Sequence, residues 1–199
     1  MKKMIALATI ALFFAGAVPA AAQIGFGAHA GLSVPVGDYG DTEATDAGFA
    51  EMGFSGGLDL WVPLVAVPGL SWYTSVDAIA HSTDDVAGFD LDGGYQYYPL
   101  LTGARFDIPA GTIGLFATGQ VGIVFARPPA VDFGEGQLDS DLTTKFGFSL
   151  GGGVQVTDNI YAGLKYYPMG DVDWSWEDEA EAETLPVSFF DIYVGFGVH

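Results

Sequence analysis

The feature that most narrows what this chain can fold into is an apolar residue at every second position, repeated in eight separate segments. In the first, Ile24, Phe26, Ala28, Ala30, Leu32 and Val34 alternate with Gly25, Gly27, His29, Gly31 and Ser33. Successive side chains of a strand point to opposite faces, so one face is greasy and the other small or polar. The pattern returns over 54–62, 70–81, 98–107, 115–123, 145–156, 160–166 and 190–198. Segments of roughly ten residues suit strands that cross a bilayer at a tilt. No stretch joins helical periodicity to helix start and stop signals.

The connections alternate as well. Short turns are expected around Pro68-Gly69, Pro109-Ala110-Gly111 and Thr157-Asp158-Asn159. Long loops are expected over 36–51, 82–94, 126–142 and 168–186. Those four loops hold 20 of the 25 acidic residues, and Arg127 is their only base. Charge is thus kept off the greasy faces, as hydrocarbon demands: a cationic side chain facing lipid at midplane costs about 2–4 kcal/mol. An open sheet edge cannot persist in hydrocarbon, and closure removes the edges. The pattern therefore predicts an all-β fold, an eight-stranded antiparallel up-and-down transmembrane β-barrel.

Eight strands enclose only enough space for side chains. The predicted inward set includes the acids Asp59, Asp77, Asp107 and Asp191 and the bases Arg105, Lys145 and Lys165, with Gln120, Gln155, Thr118 and Ser75 between them. Buried charges need partners, so a lumen charge network is expected among these seven ionisable residues. Aromatics gather near segment ends. Tyr95, Tyr97, Tyr98, Tyr166, Tyr167, Phe189 and Phe190 stand at the long-loop side, and Trp61, Trp72, Phe106 and Phe196 at the other, a distribution that predicts interfacial girdles. The rival is a soluble exported β-barrel that binds a ligand. Such a fold turns its apolar face inward and leaves a charged face in water. Here the second face is mostly Gly, Ser, Thr and Tyr, which suits a narrow lumen better.

The N-terminus has the form of an export signal. Lys2 and Lys3 precede an apolar run from Met4 to Val18, and Ala20-Ala21-Ala22 offers a cleavage site before Gln23. Residues 1–22 are read as a signal peptide and 23–199 as the barrel domain. Cysteine is absent, which excludes disulfides and thiolate metal sites. Beyond the signal only Arg105, Arg127, Lys145 and Lys165 face 25 acids. Phosphate-backbone binding needs a basic surface, so nucleic acid is excluded as a partner. An acid-rich, lysine-poor composition is also of the halophilic type, in which salt screens self-repulsion.

Three stretches carry a family resemblance: 97–106 (YYPLLTGARF), 145–154 (KFGFSLGGGV) and 192–198 (IYVGFGV). They resemble the small OmpA/OmpX-type outer-membrane β-barrels, and the likeness runs through the whole mature chain. It implies a place in the outer membrane of a Gram-negative-type bacterium. The implied partners are outer-membrane lipid and the barrel-assembly machinery, and the implied state is a monomer. Chains of that family usually end on an aromatic residue, which helps the assembly machinery recognise them; this one ends on His199. No peptidoglycan-binding domain is expected after the eighth strand.

Candidates for chemistry are few. Ser75, Asp77 and His81 share one predicted inward face, but strand neighbours at i and i+2 sit about 7 Å apart, so lumen filler is the better reading. His29 and His81 could tune an interior charge network. Asp171, Asp173, Glu177, Asp178 and Glu179 are hard oxygen ligands suited to a divalent cation. They lack EF-hand spacing and read better as a solvated acidic loop. No cofactor is expected, and no enzyme activity, because the long loops contain no histidine for a surface acyltransferase. The expectation is a structural, envelope-integrity or surface-interaction barrel rather than a wide pore, with an extracellular partner or a divalent cation at the acidic loops. A narrow channel or a barrel binding cations or small solutes is the alternative.

Overall fold

The computed structural model describes residues 24–41, 50–83, 90–92, 94–110, 113–132, 137–138, 142–174 and 183–198, and the signal segment lies outside them. Eight long strands form one closed barrel: β1 (Gly25–Pro35), β2 (Ala50–Pro63), β3 (Leu70–Thr83), β5 (Tyr95–Ala110), β6 (Ile113–Arg127), β9 (Thr143–Gln155), β10 (Ile160–Trp174) and β11 (Glu183–Val198). Three short strands, β4 (Asp90–Asp92), β7 (Ala130–Asp132) and β8 (Gln137–Leu138), make a separate small sheet in the order β4-β7-β8. Around the barrel the order is β1-β11-β10-β9-β6-β5-β3-β2, each strand antiparallel to its neighbours in the up-and-down arrangement. The seam joins the two ends of the barrel, with Phe26 opposite Val198 and Pro35 opposite Phe189.

Alternation decides which way each side chain faces. On β2, Phe54 and Leu58 are 74% and 65% exposed, whereas Ser55 and Asp59 between and beyond them are buried. The same contrast recurs at Val76 against Asp77, Phe146 against Gly147, and Val194 against Tyr193. A soluble barrel with this exterior would present a continuous apolar wall to water, far beyond the patches soluble monomers tolerate. In hydrocarbon the same wall is at no cost, and the closed ladder satisfies the strands' backbone groups.

At the short-turn end, the β2–β3 connection is held by its own backbone. Leu64 N–H donates to Leu70 O at 2.8 Å, and Val67 N–H to Leu64 O at 3.0 Å. Gly69, at φ +81°, turns the chain upward while its carbonyl accepts from Asp107 N–H at 2.7 Å. The left-handed conformation there needs glycine.

Two expectations need correction. The aromatic residues near the strand ends do not all form girdles. Tyr95, Tyr97, Tyr167, Phe189 and Trp61 point into the lumen and are buried. Tyr98, Phe106 and Phe196 are exposed on the outside, and Tyr166, Phe190 and Trp72 face outward half-buried. Height along the strand suggested a girdle, but strand parity put half of them inside. The stretch 168–186 is also less of a loop than its acids suggested. Strand pairing continues from Pro168–Ser188 past a bulge to Trp174–Glu183. A β-ribbon beyond the rim need not alternate apolar residues, so the sequence pattern stops before the strands do.

Candidate functional site

The barrel lumen is filled in layers, and its middle layer carries the charge. On β2 and β3, Asp59 and Asp77 point inward and are 3% and 2% exposed. His29 on β1 serves both. Its Nδ1 lies 2.8 Å from Asp59 Oδ2, and its Nε2 lies 3.0 Å from Asp77 Oδ1. The first contact is a hydrogen bond. The second is an ion-pair contact.

Gly57 makes this bridge possible. It sits between His29 and Asp77 in the same cross-strand row. A Cβ there would lie 2.7 Å from His29 Cε1 and 2.8 Å from its Nε2, and would also strike Asp77 Oδ1. The missing side chain is the space the imidazole uses.

Lys165 answers from across the barrel. It rises from β10, which stands opposite β3 in the ring of eight. Its Nζ reaches Asp77 Oδ1 at 3.5 Å and Asp59 Oδ1 at 4.0 Å. Tyrosine hydroxyls complete the carboxylates' shells. Tyr73 and Tyr161 donate to Asp59 at 2.5 and 2.6 Å, and Tyr167 donates to Asp77 at 3.0 Å. Ser75 donates to Asp77 at 2.9 Å, and Gln120 links Ser75 to Leu101 O and Ser149. Asp191 stands beside Lys165 in register and accepts from Ser55. Asp191 Oδ2 and the Tyr193 hydroxyl find no hydrogen-bond partner among the described residues. A charge removed from water needs this density of partners to persist.

Below this layer, toward the short turns, Arg105 pairs with Asp107 at 2.8 Å and donates to Gln155 at 3.3 Å. Its guanidinium lies 4.2 Å from the centre of the Phe116 ring and 5.3 Å from that of Trp61. Above it, toward the long connections, the lumen is aromatic. Tyr167 stacks on Phe189 at 5.0 Å, and Tyr97 packs 5.4 Å from Phe189. Tyr39, from the 3-10 turn Gly37–Gly40 (η1), drops its ring onto Tyr95 at 5.1 Å and is itself fully buried. Its hydroxyl hydrogen-bonds His81 Nδ1 at 2.8 Å, and His81 Nε2 hydrogen-bonds Ser33 Oγ at 2.7 Å. Burial pushes the Tyr39 hydroxyl well above its usual pKa, so it stays protonated.

The seven residues expected to form one network lie at different heights along the barrel. Asp59, Asp77, Lys165 and Asp191 share the central layer. Arg105 and Asp107 form their own pair at the short-turn end, where the Asp107 side chain is 43% exposed. Lys145 sits half-buried near the outer end of β9, opposite Val124. His29, expected only to tune an interior charge network, lies in the central layer between Asp59 and Asp77. Ser75, Asp77 and His81 are not joined as a relay: Ser75 bonds Asp77, while His81 bonds Tyr39 and Ser33. Of the acidic cation candidates, Asp171 is exposed and Asp173 lies on β10, while Glu177, Asp178 and Glu179 fall outside the described residues.

Comparison with known proteins agrees with this architecture. Neisserial surface protein A matches with a TM-score of 0.57 at 17% identity, over 89% of this chain and 97% of that one. Ail, the attachment invasion locus protein of Yersinia pestis, solved with the heparin analogue sucrose octasulfate, matches with a TM-score of 0.51 at 14% identity, over 88% of this chain and 99% of that one. No protein-family model and no curated protein sequence matches the chain. The fold is thus that of the small, eight-stranded outer-membrane β-barrels of the OmpA/OmpX type.

Proposed function

We propose that this protein is a monomeric, non-enzymatic outer-membrane barrel of a Gram-negative-type bacterium, with a structural or surface-interaction role and no wide pore. The observation that supports it is the filled lumen. From Tyr39 at one end through Asp77 and Lys165 to Arg105 at the other, the interior is occupied by side chains that bond one another. Its working surfaces are then the apolar exterior, which meets lipid, and the long connections, which meet the medium.

Those connections set the kind of partner. Acids outnumber bases there twenty to one, so a polyanion is repelled and a basic or cationic surface is attracted. The heparin analogue bound by Ail is of the disfavoured sign.

The test is single-channel recording in planar bilayers with the refolded, full mature chain. Silent membranes, with the unboiled protein migrating apart from the boiled form in SDS gels, support the reading. Steady unitary conductance would favour the narrow-channel alternative.

A further inference from the structure

The β2–β3 turn contrasts with the β9–β10 turn at the same end of the barrel. It runs Pro63-Leu64-Val65-Ala66-Val67-Pro68-Gly69, without one charged or hydroxyl side chain. Leu64, Val65 and Val67 are 42%, 69% and 45% exposed. Diametrically across the ring, the β9–β10 turn reads Thr157-Asp158-Asn159. We propose that the β2–β3 turn is immersed in the membrane leaflet on the short-turn side while the β9–β10 turn stands in water, so that the barrel sits tilted, with its β2–β3 side deeper.

Three observations carry this. The apolar exterior of β2 runs into the turn, from Phe54 and Leu58 to Leu64 and Val65. Part of the turn's backbone is already bonded within the turn or has nothing to donate. Leu64, Val67 and Leu70 amides are bonded, and Pro63 and Pro68 have no amide proton to satisfy. Finally, the outward Trp72, one strand-turn above, does not hold its indole N–H out for water. Nε1 donates to Thr74 Oγ1 at 3.1 Å, and Thr74 in turn shares a 2.8 Å hydrogen bond with Thr102. A tryptophan at the interface normally offers that N–H to the wet side. Here the polar atoms of this exterior patch close on one another, as they must below the surface of the hydrocarbon.

The proposal rests on the membrane-spanning reading above, and one experiment separates the two. The chain has no cysteine, so single-cysteine variants carry a spin label at one place only. L58C reports the middle of the apolar wall, V65C and A66C the β2–β3 turn, and D158C the opposite turn. Labels in the protein reconstituted into phosphatidylcholine vesicles are relaxed with oxygen and with a water-soluble nickel chelate. The expected result is an oxygen-to-chelate ratio several-fold higher at positions 58, 65 and 66 than at 158. Positions 65 and 66 as open to the chelate as 158, with 58 protected, would overturn the immersed turn alone. Chelate access at 58 as well would overturn both readings.

Discussion

His29 reaches Asp77 by passing over the bare Cα of Gly57, the residue that stands between them in the cross-strand row. The first prediction follows from that gap. Gly57→Ala drives a Cβ into the imidazole and the Asp77 carboxylate, an overpacking that costs about 1–3 kcal/mol. The midpoint of urea unfolding in detergent micelles should fall accordingly. An unchanged midpoint would mean that the lumen yields room for the added Cβ.

Lys165 is the only lysine or arginine within ion-pair reach of Asp59 and Asp77 among the described residues. Lys165→Met keeps the stem and removes the charge, which should cost about 3–5 kcal/mol, as stranding a buried partner does. Adding Asp77→Asn should recover part of that loss. A double-mutant cycle reads the coupling directly; strict additivity of the two single changes would show that the cross-barrel pair is not a unit.

The apolar exterior predicts position-dependent tolerance. Leu58→Arg, in the middle of the β2 wall, should cost about 2–4 kcal/mol in lipid vesicles. Glu51→Arg, at the outer rim of the same strand, should cost about 0–1 kcal/mol. Equal effects at both sites would contradict a lipid-facing wall.

Tyr39 closes the outer end of the lumen. Tyr39→Phe keeps the ring but strands His81 Nδ1, for a loss of about 1–2 kcal/mol. The hydroxyl's raised pKa also makes this group's contribution depend on pH. It is fully present below the unfolded value of about 10 and is lost as pH rises through the higher folded one. The stability difference between wild type and Tyr39→Phe should therefore shrink in strong alkali. A difference that grows with alkalinity would show that the fold does not favour the protonated hydroxyl.

With 25 acids against six bases, self-repulsion among the outer connections is screened by salt. The thermal midpoint should rise between dilute buffer and molar sodium chloride. Identical melting in both would place the acids too far apart to repel.

The architecture was legible because parity is strict in a strand. Phe54 out and Ser55 in can be read from the sequence without knowing what lies opposite. Parity places Tyr97, Tyr167 and Phe189 inward, whereas their clustering near strand ends points to a girdle; parity is the stronger of the two cues. The pairing inside the lumen was less legible. That Lys165 meets Asp77 depends on β10 standing opposite β3, a relation that exists only once eight strands and their stagger close the ring. The part played by Gly57 was hidden for a related reason: a glycine in a strand looks the same whether it yields space to a neighbour or merely fills a small position.

The seam between β1 and β11 gives the central layer a further meaning. His29 comes from the first strand, Asp59 and Asp77 from the next two, and Lys165, Tyr161 and Tyr167 from the penultimate one. A half-built sheet would hold its acids without the base that answers them. The central layer thus draws on both ends of the chain, and it is complete only in the ring that the pairing of the last strand with the first closes.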